Sequence, residues 1–226
     1  MNLEIIYGKY TKKRVKKEDS MKRVLNSGSI KLPYITGSEK DILEQVGILS
    51  NLNSVMQDKT GIDYVFEKVS AIKFTFEIKM PVLVAQTFYN EKLGTLTVQG
   101  GPDHPIAYLP QQYFKESPLG TTIMDAKACN DYNTKLNNFY NWTFNFYNKL
   151  IEQGMCESQA ALVLPQGLFK SYLWEVNAKD LISFIEQNHD KSPEMAGYCG
   201  TLVLYMEDHL PNVAAYLKRN QWKEMI

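Results

Sequence analysis

Apolar and polar residues alternate between positions 72 and 79. The even-numbered residues from Ile72 to Ile78 are apolar and the odd-numbered ones are polar, which is the period-two pattern of a half-buried strand. Pro81 lacks an N–H and suits the first turn of a helix better than a continuing strand. The pattern therefore predicts a strand, then a short apolar helix ending near residues 89–90, and then a polar loop that contains Gly94, Gly100 and Gly101.

Apolar residues at helical spacing predict further elements along the chain. The first helix follows Ser38, a good N-cap residue, and ends before Gly61. The longest extends from Thr122 to Gly154, which is about 30 residues or roughly 45 Å. Its aromatic residues lie on more than one face, which is typical of a helix that is buried on several sides. The remaining predictions are a short strand at residues 2–7, helices at residues 157–164, 178–185, 193–206 and 212–221, an aromatic strand at residues 167–176, and a loop at residues 27–37.

Composition and charge limit the functional classes. A chain of 226 residues fits one large domain or two small ones. Lys+Arg 25 balance Asp+Glu 25, which argues against strong non-specific nucleic-acid binding. No apolar run reaches the roughly 18–20 residues of a membrane span, and the first residues do not have the pattern of a secretory signal. We therefore expect a cytoplasmic protein without membrane association.

The cysteines and the basic N-terminal segment give weaker indications. Cys129, Cys156 and Cys199 are far apart, and no metal-ligand spacing links them to a histidine, so we expect buried free thiols and no metal site. Residues 9–23 are basic, which is typical of a solvated helix or loop but also of a phosphate-binding segment. Both interpretations of this segment stay open.

Two stretches resemble the flavin-dependent thymidylate synthases. Residues 76–85, FEIKMPVLVA, are similar to the strand, proline and apolar helix that precede the family motif Arg-His-Arg-x-x-Ser-x-Asn-x-x-Ser-x-Arg-Tyr. That motif falls without a gap on residues 90–103, NEKLGTLTVQGGPD. Residues 158–184, SQAALVLPQGLFKSYLWEVNAKDLISF, are similar to the family's Ala-Arg-x-x-Leu-Pro, aromatic strand and Asn-x-Arg-x-Leu. Order and spacing agree over roughly residues 40–217.

The resemblance implies a fold and a reaction. The implied fold is α/β (α+β), with a central, mostly antiparallel sheet flanked by helices and one long helix. It forms a single domain over residues 1–226, with residues 1–37 as an N-terminal segment. The implied reaction transfers one carbon to C5 of a pyrimidine nucleotide, with FAD as cofactor and with NADPH and methylene-tetrahydrofolate as further reactants. The implied partners are a nucleotide or another small anion and further copies of this chain in a homotetramer with shared active sites.

The resemblance also assigns candidate site residues. The cofactor-binding candidates, which take the places of Arg-His-Arg and of the Asn in Asn-x-Arg, are Asn90, Glu91, Lys92 and Asn177. The substrate-binding candidates are Thr95, Gly100, Gly101 and Lys179. No catalytic residue is assigned, and the histidine that the family has after Phe66-Glu67 is absent here.

Most charged positions of the family motif have changed. The family holds the nucleotide phosphate with Ser, Arg and Arg side chains at positions that are Gly100, Pro102 and Ala161 here. Glu91 replaces a histidine and is expected to repel a pyrophosphate. The glycine pair at residues 100–101 either presents N–H groups to an anion or forms only a tight turn, and Lys179 is either a ligand or a solvent-facing lysine.

Two functions from different classes follow from these changes. The first is an enzyme, a divergent flavin-dependent pyrimidine-nucleotide C5 methyl- or hydroxymethyltransferase with an altered substrate site. The second is a non-catalytic relative that retains the fold for assembly or ligand binding. Efficient methylation of dUMP is not expected in either case.

Overall fold

The computed structural model describes residues 12–14, 23–25, 28–99, 108–110, 113–117 and 120–220. Within these residues the strands are β1 Lys12–Arg14, β2 Arg23–Leu25, β3 Gly28–Thr36, β4 Lys73–Pro81, β5 Thr95–Gln99, β6 Phe114–Ser117, β7 Gly120–Ile123 and β8 Phe169–Asn177. The helices are α1 Glu39–Gln45, α2 Leu52–Val55, α3 Lys59–Val69, α4 Val82–Glu91, α5 Ala126–Glu152, α6 Glu157–Ala160, α7 Ala178–Asn188, α8 Pro193–His209 and α9 Pro211–Asn220. The predicted strand at residues 2–7 and most of the basic segment 9–23 lie outside the described residues.

The central sheet is antiparallel throughout its described pairs. Its order is β1-β3-β4-β8-β5, with β2 beside β3, and β6 and β7 form a separate hairpin. The even-numbered residues of β4, from Phe74 to Met80, are buried and pack with residues of α7, α8 and α9 in one hydrophobic core. The predicted α/β fold with a central antiparallel sheet and one long helix is confirmed.

Two segments predicted as loops are strands. In β3, Ile30 and Leu32 are fully buried, and the pairing with β4 shifts register between Lys31 and Tyr34. Pro33 lies inside this shift, where a missing N–H costs no ladder hydrogen bond. Residues 95–99 form β5 at the edge of the sheet, because their alternating Thr, Leu, Thr and Val side chains favour a strand despite the neighbouring glycines.

Two predicted helix boundaries are also wrong. The helix after Ser38 is broken into α1, a 3-10 turn, α2 and α3, because Gly47 adopts a φ of 70° that ends α1, and α3 then contains Gly61. The long helix is capped by Asp125, whose side chain accepts a hydrogen bond from Ala128 N at 2.9 Å. Thr122 lies in β7 instead. The predicted caps Ser38 and Asn177 are confirmed.

The cysteines differ in their environments. Cys129 and Cys199 are buried free thiols, as expected, whereas Cys156 is exposed. Cys156 is the N-cap residue of the short surface helix α6, which explains why the expectation of burial fails there. Burial raises the pKa of the Cys199 thiol to about 12, so this group stays protonated at neutral pH and is a core residue.

Glu39 is a buried carboxylate that joins the first and last described helices. It is 2% exposed and accepts hydrogen bonds from Asn212 N at 3.1 Å, Asn212 Nδ2 at 2.9 Å and Val213 N at 2.8 Å. These donors belong to the first turn of α9, so Glu39 caps a helix distant in sequence. Burial raises the pKa of the Glu39 carboxyl, although the donated hydrogen bonds oppose the shift.

We predict that Glu39→Ala destabilises the protein by about 0.5–2 kcal/mol, because three donors of α9 lose their acceptor. A carboxyl whose pKa is raised on folding contributes most stability below its unfolded pKa of about 4.3, and that contribution is lost as the pH rises through the folded pKa. The cost of the substitution is therefore expected to be larger near pH 4 than near pH 7. Urea unfolding at both pH values measures it.

Glu44→Ala provides the matched control on the same helix. Glu44 is exposed and, among the described residues, forms an i,i+4 ion pair with Lys40 at 3.7 Å, so its loss is expected to change the unfolding free energy little at either pH. A cost of Glu39→Ala that grows from low to neutral pH contradicts the raised pKa.

Candidate functional site

Pro81 joins the central strand to the first helix of the candidate site. It is the last residue of β4 and the N-cap of α4, with extended backbone angles. The first N–H groups of α4 are not left unpaired, because Val82 N donates to Leu168 O at 3.1 Å and Leu83 N donates to Gln166 O at 3.0 Å. The loop before β8 therefore holds the start of α4, as a helix N-terminus requires.

A tight turn follows α4 and leads into β5. Lys92 ends the helix in the left-handed conformation, with a φ of 54°, and Gly94 has a φ of 74°. A Cβ on Gly94 would lie 2.4 Å from Glu175 O and 3.0 Å from Val176 Cβ, so only glycine fits at this position. Trp174 Nε1 donates to Leu93 O at 3.0 Å. The core therefore fixes this turn against the end of β8.

The structure brings four of the candidate residues to one end of β5. Thr95 pairs in register with Glu175, so the turn before it lies beside the last residues of β8. Lys92, Thr95, Asn177 and Lys179 thus share one end of the sheet. Gln99 ends β5 roughly 13 Å away, at 3.3 Å per residue. Gly100 and Gly101 follow it, and these two candidates lie outside the described residues.

Salt bridges neutralise two of the charged candidates. Glu91 Oε1 accepts a hydrogen bond from Lys191 Nζ at 2.5 Å, so the repulsion expected from Glu91 is offset by a neighbouring cation. Lys179 Nζ donates to Glu67 Oε2 at 2.9 Å. The Glu67 carboxylate raises the pKa of Lys179, and the Lys179 ammonium lowers the pKa of Glu67. Both groups therefore stay charged at neutral pH.

Two candidates differ in how far their side chains are available to a ligand. Asn177 accepts a hydrogen bond from Asp180 N at 2.8 Å and donates to Asp180 Oδ2 at 2.7 Å, so its amide is used in capping α7. Lys92 is exposed and forms no ion pair with the part of the chain that the structure describes. Lys92 is thus the candidate cation that is most available to an added anion.

The donor set fits a flavin dinucleotide in its chemistry. A flavin dinucleotide presents a pyrophosphate that needs a cation and a ring that needs amide or hydroxyl partners. Lys92 would supply the cation, and Asn90 and Thr95 are exposed beside it. The set contains no arginine, because the chain has only Arg14, Arg23 and Arg219. These residues would therefore contact a flavin dinucleotide through a lysine, an amide and a hydroxyl group, and not through the bidentate contacts of an arginine.

Sequence patterns did not reveal the partners of these candidates. Lys179 and Glu67 are separated by 112 residues, and Lys191 and Glu91 by 100. No local spacing predicts such pairs, because antiparallel topology and helix packing bring them together.

Within the described ranges, no group of three or more His, Cys, Asp or Glu side chains could hold a metal ion. None of the described helices is both long and apolar enough to cross a membrane.

Comparisons with known proteins agree with the sequence resemblance. A family model described as "Thymidylate synthase complementing protein" matches residues 34–212. The flavin-dependent thymidylate synthase of Thermotoga neapolitana is 24% identical over 178 residues, covering 74% of this chain and 79% of that protein. The flavin-dependent thymidylate synthase of Borreliella burgdorferi is 21% identical over 211 residues, covering 84% and 79%.

A solved structure has the same fold. It is a UMP/dUMP methylase, PolB, from Streptomyces cacaoi bound with 5-Br UMP, and it aligns with a TM-score of 0.72 over 87% of this chain and 96% of that chain. At 13% sequence identity this similarity concerns the fold. Because the family model spans most of the chain, from the third strand to the start of the last helix, this protein belongs to the family of thymidylate synthase complementing proteins.

Proposed function

We propose that this protein is a flavin-dependent pyrimidine-nucleotide C5 methyl- or hydroxymethyltransferase with an altered substrate site. The observation that carries the proposal is the turn at residues 92–94, which the core holds beside the end of β8 at the family's motif position. The relatives are named flavin-dependent thymidylate synthases, and the structural neighbour is described as a UMP/dUMP methylase. These names support a nucleotide substrate and a C5 transfer.

Lys92 and Asn90 would hold the flavin in this proposal, and Thr95, which the resemblance assigns to the substrate, would add a hydroxyl beside them. A bound reduced flavin supplies a hydride to the reaction, with NADPH and methylene-tetrahydrofolate as the implied sources of reducing equivalents and of carbon. The Glu91 carboxylate is neutralised by Lys191, so it does not exclude a pyrophosphate. Binding is weaker than in relatives that use arginine forks, because an ammonium makes single contacts where a guanidinium makes two.

Titration of the purified protein with FAD tests the proposal. We expect FAD to quench flavin or tryptophan fluorescence with a dissociation constant below about 100 μM. The Lys92→Gln variant is expected to bind FAD roughly tenfold more weakly, because it loses one charge-assisted contact. Lys68→Gln is a matched control on α3, because Lys68 lies over the Tyr64 ring at 5.0 Å and is not a candidate ligand. Absence of any signal with FAD at about 100 μM contradicts the flavin proposal.

A non-catalytic role is the second candidate, and a specific observation favours it. Asn177 and Lys179 each have a structural partner and would be retained for folding even without a ligand. The two candidates differ in their expected response to nucleotides. The enzyme is stabilised by a pyrimidine nucleotide through mass action and also turns the nucleotide over. A relative that retains the fold for ligand binding shows the stabilisation without turnover, and one that retains it for assembly shows no change of melting temperature with added UMP or dUMP.

We also propose that the protein assembles as a homotetramer through the long helix α5. Tyr132, Phe139, Trp142 and Phe146 are 46%, 51%, 63% and 40% exposed, although they are large aromatic residues. Their separations of seven, three and four residues are those of a coiled-coil seam. An exposed aromatic row of this kind marks an interaction surface, and identical copies bury such a row by symmetric pairing.

Light scattering at micromolar concentration tests the assembly. We expect a mass of about four times the 26.0 kDa of one chain, and a smaller assembly for Trp142→Lys, because a lysine in the seam removes apolar contact. Asn141→Lys is the control, because Asn141 is exposed on the same helix but lies outside the seam, and this variant is expected to keep the assembly. A monomeric mass for the unmodified protein contradicts the proposal.

The absence of disulfides among its three free cysteines supports a cytoplasmic location, where thiols stay reduced.

A further inference from the structure

A row of polar residues crosses one end of the sheet, on the face opposite the buried even-numbered residues of β4, and Ser29 within this row is 7% exposed. The strand registers pair Ser29 with Lys79, Lys79 with Ser171, and Ser171 with Gln99. Residues directly opposite each other on neighbouring strands share a face and lie within contact distance. The four strands β3, β4, β8 and β5 therefore present two hydroxyls, an ammonium and an amide side by side.

This row forms part of a cleft on the sheet. The cleft has a volume of about 470 Å³ and is also lined by Lys31, Glu77 and Tyr172. That volume lies in the range of small-molecule sites, about 300–1,000 Å³. Lys31 Nζ is 3.6 Å from Glu77 Oε2, and both side chains are about half exposed. This ion pair is weak in water, so the Lys31 ammonium is available to an anion of higher charge.

Charge distinguishes this cleft from two others in the described part of the chain. Among the described residues, its lining has two lysines and one carboxylate. A second cleft, at Lys179, has two lysines and three carboxylates in its lining. A third, beside Glu39, has one lysine and one carboxylate together with His209. Of these three, the cleft at Lys31 and Lys79 has the net positive lining that a phosphate requires.

The position of the cleft relates it to the proposed substrate. Gln99 is the last residue of β5, and Gly100, the next residue, occupies the place of a phosphate-binding serine in the family motif. The cleft thus lies where the chain enters the segment that has lost its phosphate-binding side chains. Lys31 and Lys79 come from β3 and β4, which the family motif does not include.

We infer that Lys31 and Lys79 bind the phosphate of a pyrimidine nucleoside monophosphate, in place of the missing arginines. This inference rests on the proposed nucleotide function. The hydroxyls of Ser29 and Ser171 and the amide of Gln99 donate further hydrogen bonds to the phosphate oxygens. Ammonium groups act as point charges without a planar fork, so the site selects a phosphate by charge and leaves its orientation to the hydroxyls.

Calorimetric titration with UMP, uridine and inorganic phosphate tests this site. The ratio of the uridine and UMP dissociation constants isolates the phosphate contribution. We expect this ratio to be at least about tenfold in the unmodified protein and to fall by roughly tenfold to a hundredfold in Lys79→Gln, as for the loss of a charge-assisted bond. Lys31→Gln is expected to lower the ratio in the same direction, although Glu77 Oε2 lies 3.6 Å from that ammonium.

Lys73→Gln is the matched control. Lys73 lies on the same strand and the same face as Lys79, six residues and about 20 Å away at 3.3 Å per residue, so its substitution is expected to leave the ratio unchanged. Lys79→Arg restores the charge and is expected to recover UMP binding. Circular dichroism of each variant verifies folding, and recovery by arginine separates a lost charge from a lost fold.

The outcomes separate this inference from the proposed function. An unchanged ratio in both glutamine variants, with UMP still bound, overturns the phosphate site and leaves the nucleotide function intact. Binding of inorganic phosphate that depends on Lys79, without any binding of UMP, supports an anion cleft and contradicts the nucleotide function. Failure of the unmodified protein to bind UMP and inorganic phosphate overturns both.

Discussion

Turnover of dUMP to thymidylate by this protein is expected to be at least a hundredfold slower than by its flavin-dependent relatives. The reason is the replacement of the family's Ser, Arg and Arg by Gly100, Pro102 and Ala161. Remote binding energy of this kind positions the reacting base. A displacement of about 1 Å at the reacting atoms costs about a hundredfold in rate, and single contacts from Lys31 and Lys79 do not fix a phosphate as two guanidinium forks do.

Two measurements check this expectation. The first is complementation of a thymidine-requiring strain, in which we expect no growth without thymidine. The second is an assay with dUMP, methylene-tetrahydrofolate, FAD and NADPH, in which we expect little or no thymidylate while a flavin-dependent relative run in parallel is active. Robust growth, or turnover at the relative's rate, would show that the three lost side chains are not needed and that the phosphate is held as firmly by other groups.

Reintroducing an arginine tests whether the lost phosphate contacts are the cause of the slow turnover. Ala161 begins a described 3-10 turn and is only partly buried, so Ala161→Arg is compatible with the fold. We expect this variant to bind dUMP more tightly than the unmodified protein, by up to about tenfold for one charge-assisted bond. Leu162→Arg at the adjacent position, where leucine is 85% exposed, adds the same charge without the family's geometry and is the control.

The sequence predicted those elements whose signals are local. The alternation in β4, the N-cap residues Ser38 and Asn177, and Pro193 at the start of α8 each act within a few residues, and the structure confirms them. The strand β3 was predicted as a loop because Gly28, Pro33 and Gly37 suggest turns. Tertiary context decides this case, since Ile30 and Leu32 are buried against the helices.

The candidate site was predictable in position but not in its interactions. The motif resemblance located residues 90–99 and 177–179, and the antiparallel register brings the turn at residues 92–94 to the end of β8. The ion pairs of Glu91 and Lys179 have no sequence signal, because their partners are at least 100 residues away. The lysines of the sheet cleft were also missed, since β3 was not predicted as a strand and its register with β4 was therefore unknown.

Trp174 connects the core to the candidate site, and its removal is expected to have the largest effect on stability. It is fully buried, and its ring centroid is 5.0 Å from those of Phe88 and Phe184. Trp174→Ala is expected to cost roughly 3–5 kcal/mol, as for other large aromatic residues in cores. Urea unfolding followed by circular dichroism measures this cost. Trp142→Ala, on the exposed face of α5, is the control. At a concentration where the chain is monomeric, this variant is expected to change the unfolding free energy by less than about 0.5 kcal/mol.

Trp174→Phe separates packing from the hydrogen bond that holds the turn. Phenylalanine fills most of the space, but Leu93 O loses the donor that now lies 3.0 Å away, at a cost of about 1–3 kcal/mol for an unsatisfied buried acceptor. If the turn at residues 92–94 holds the flavin, the same variant also binds FAD more weakly while remaining folded. A folded Trp174→Phe variant with unchanged FAD affinity contradicts a flavin site that depends on this hydrogen bond, because the packing of Leu93 against the core then suffices to hold the turn.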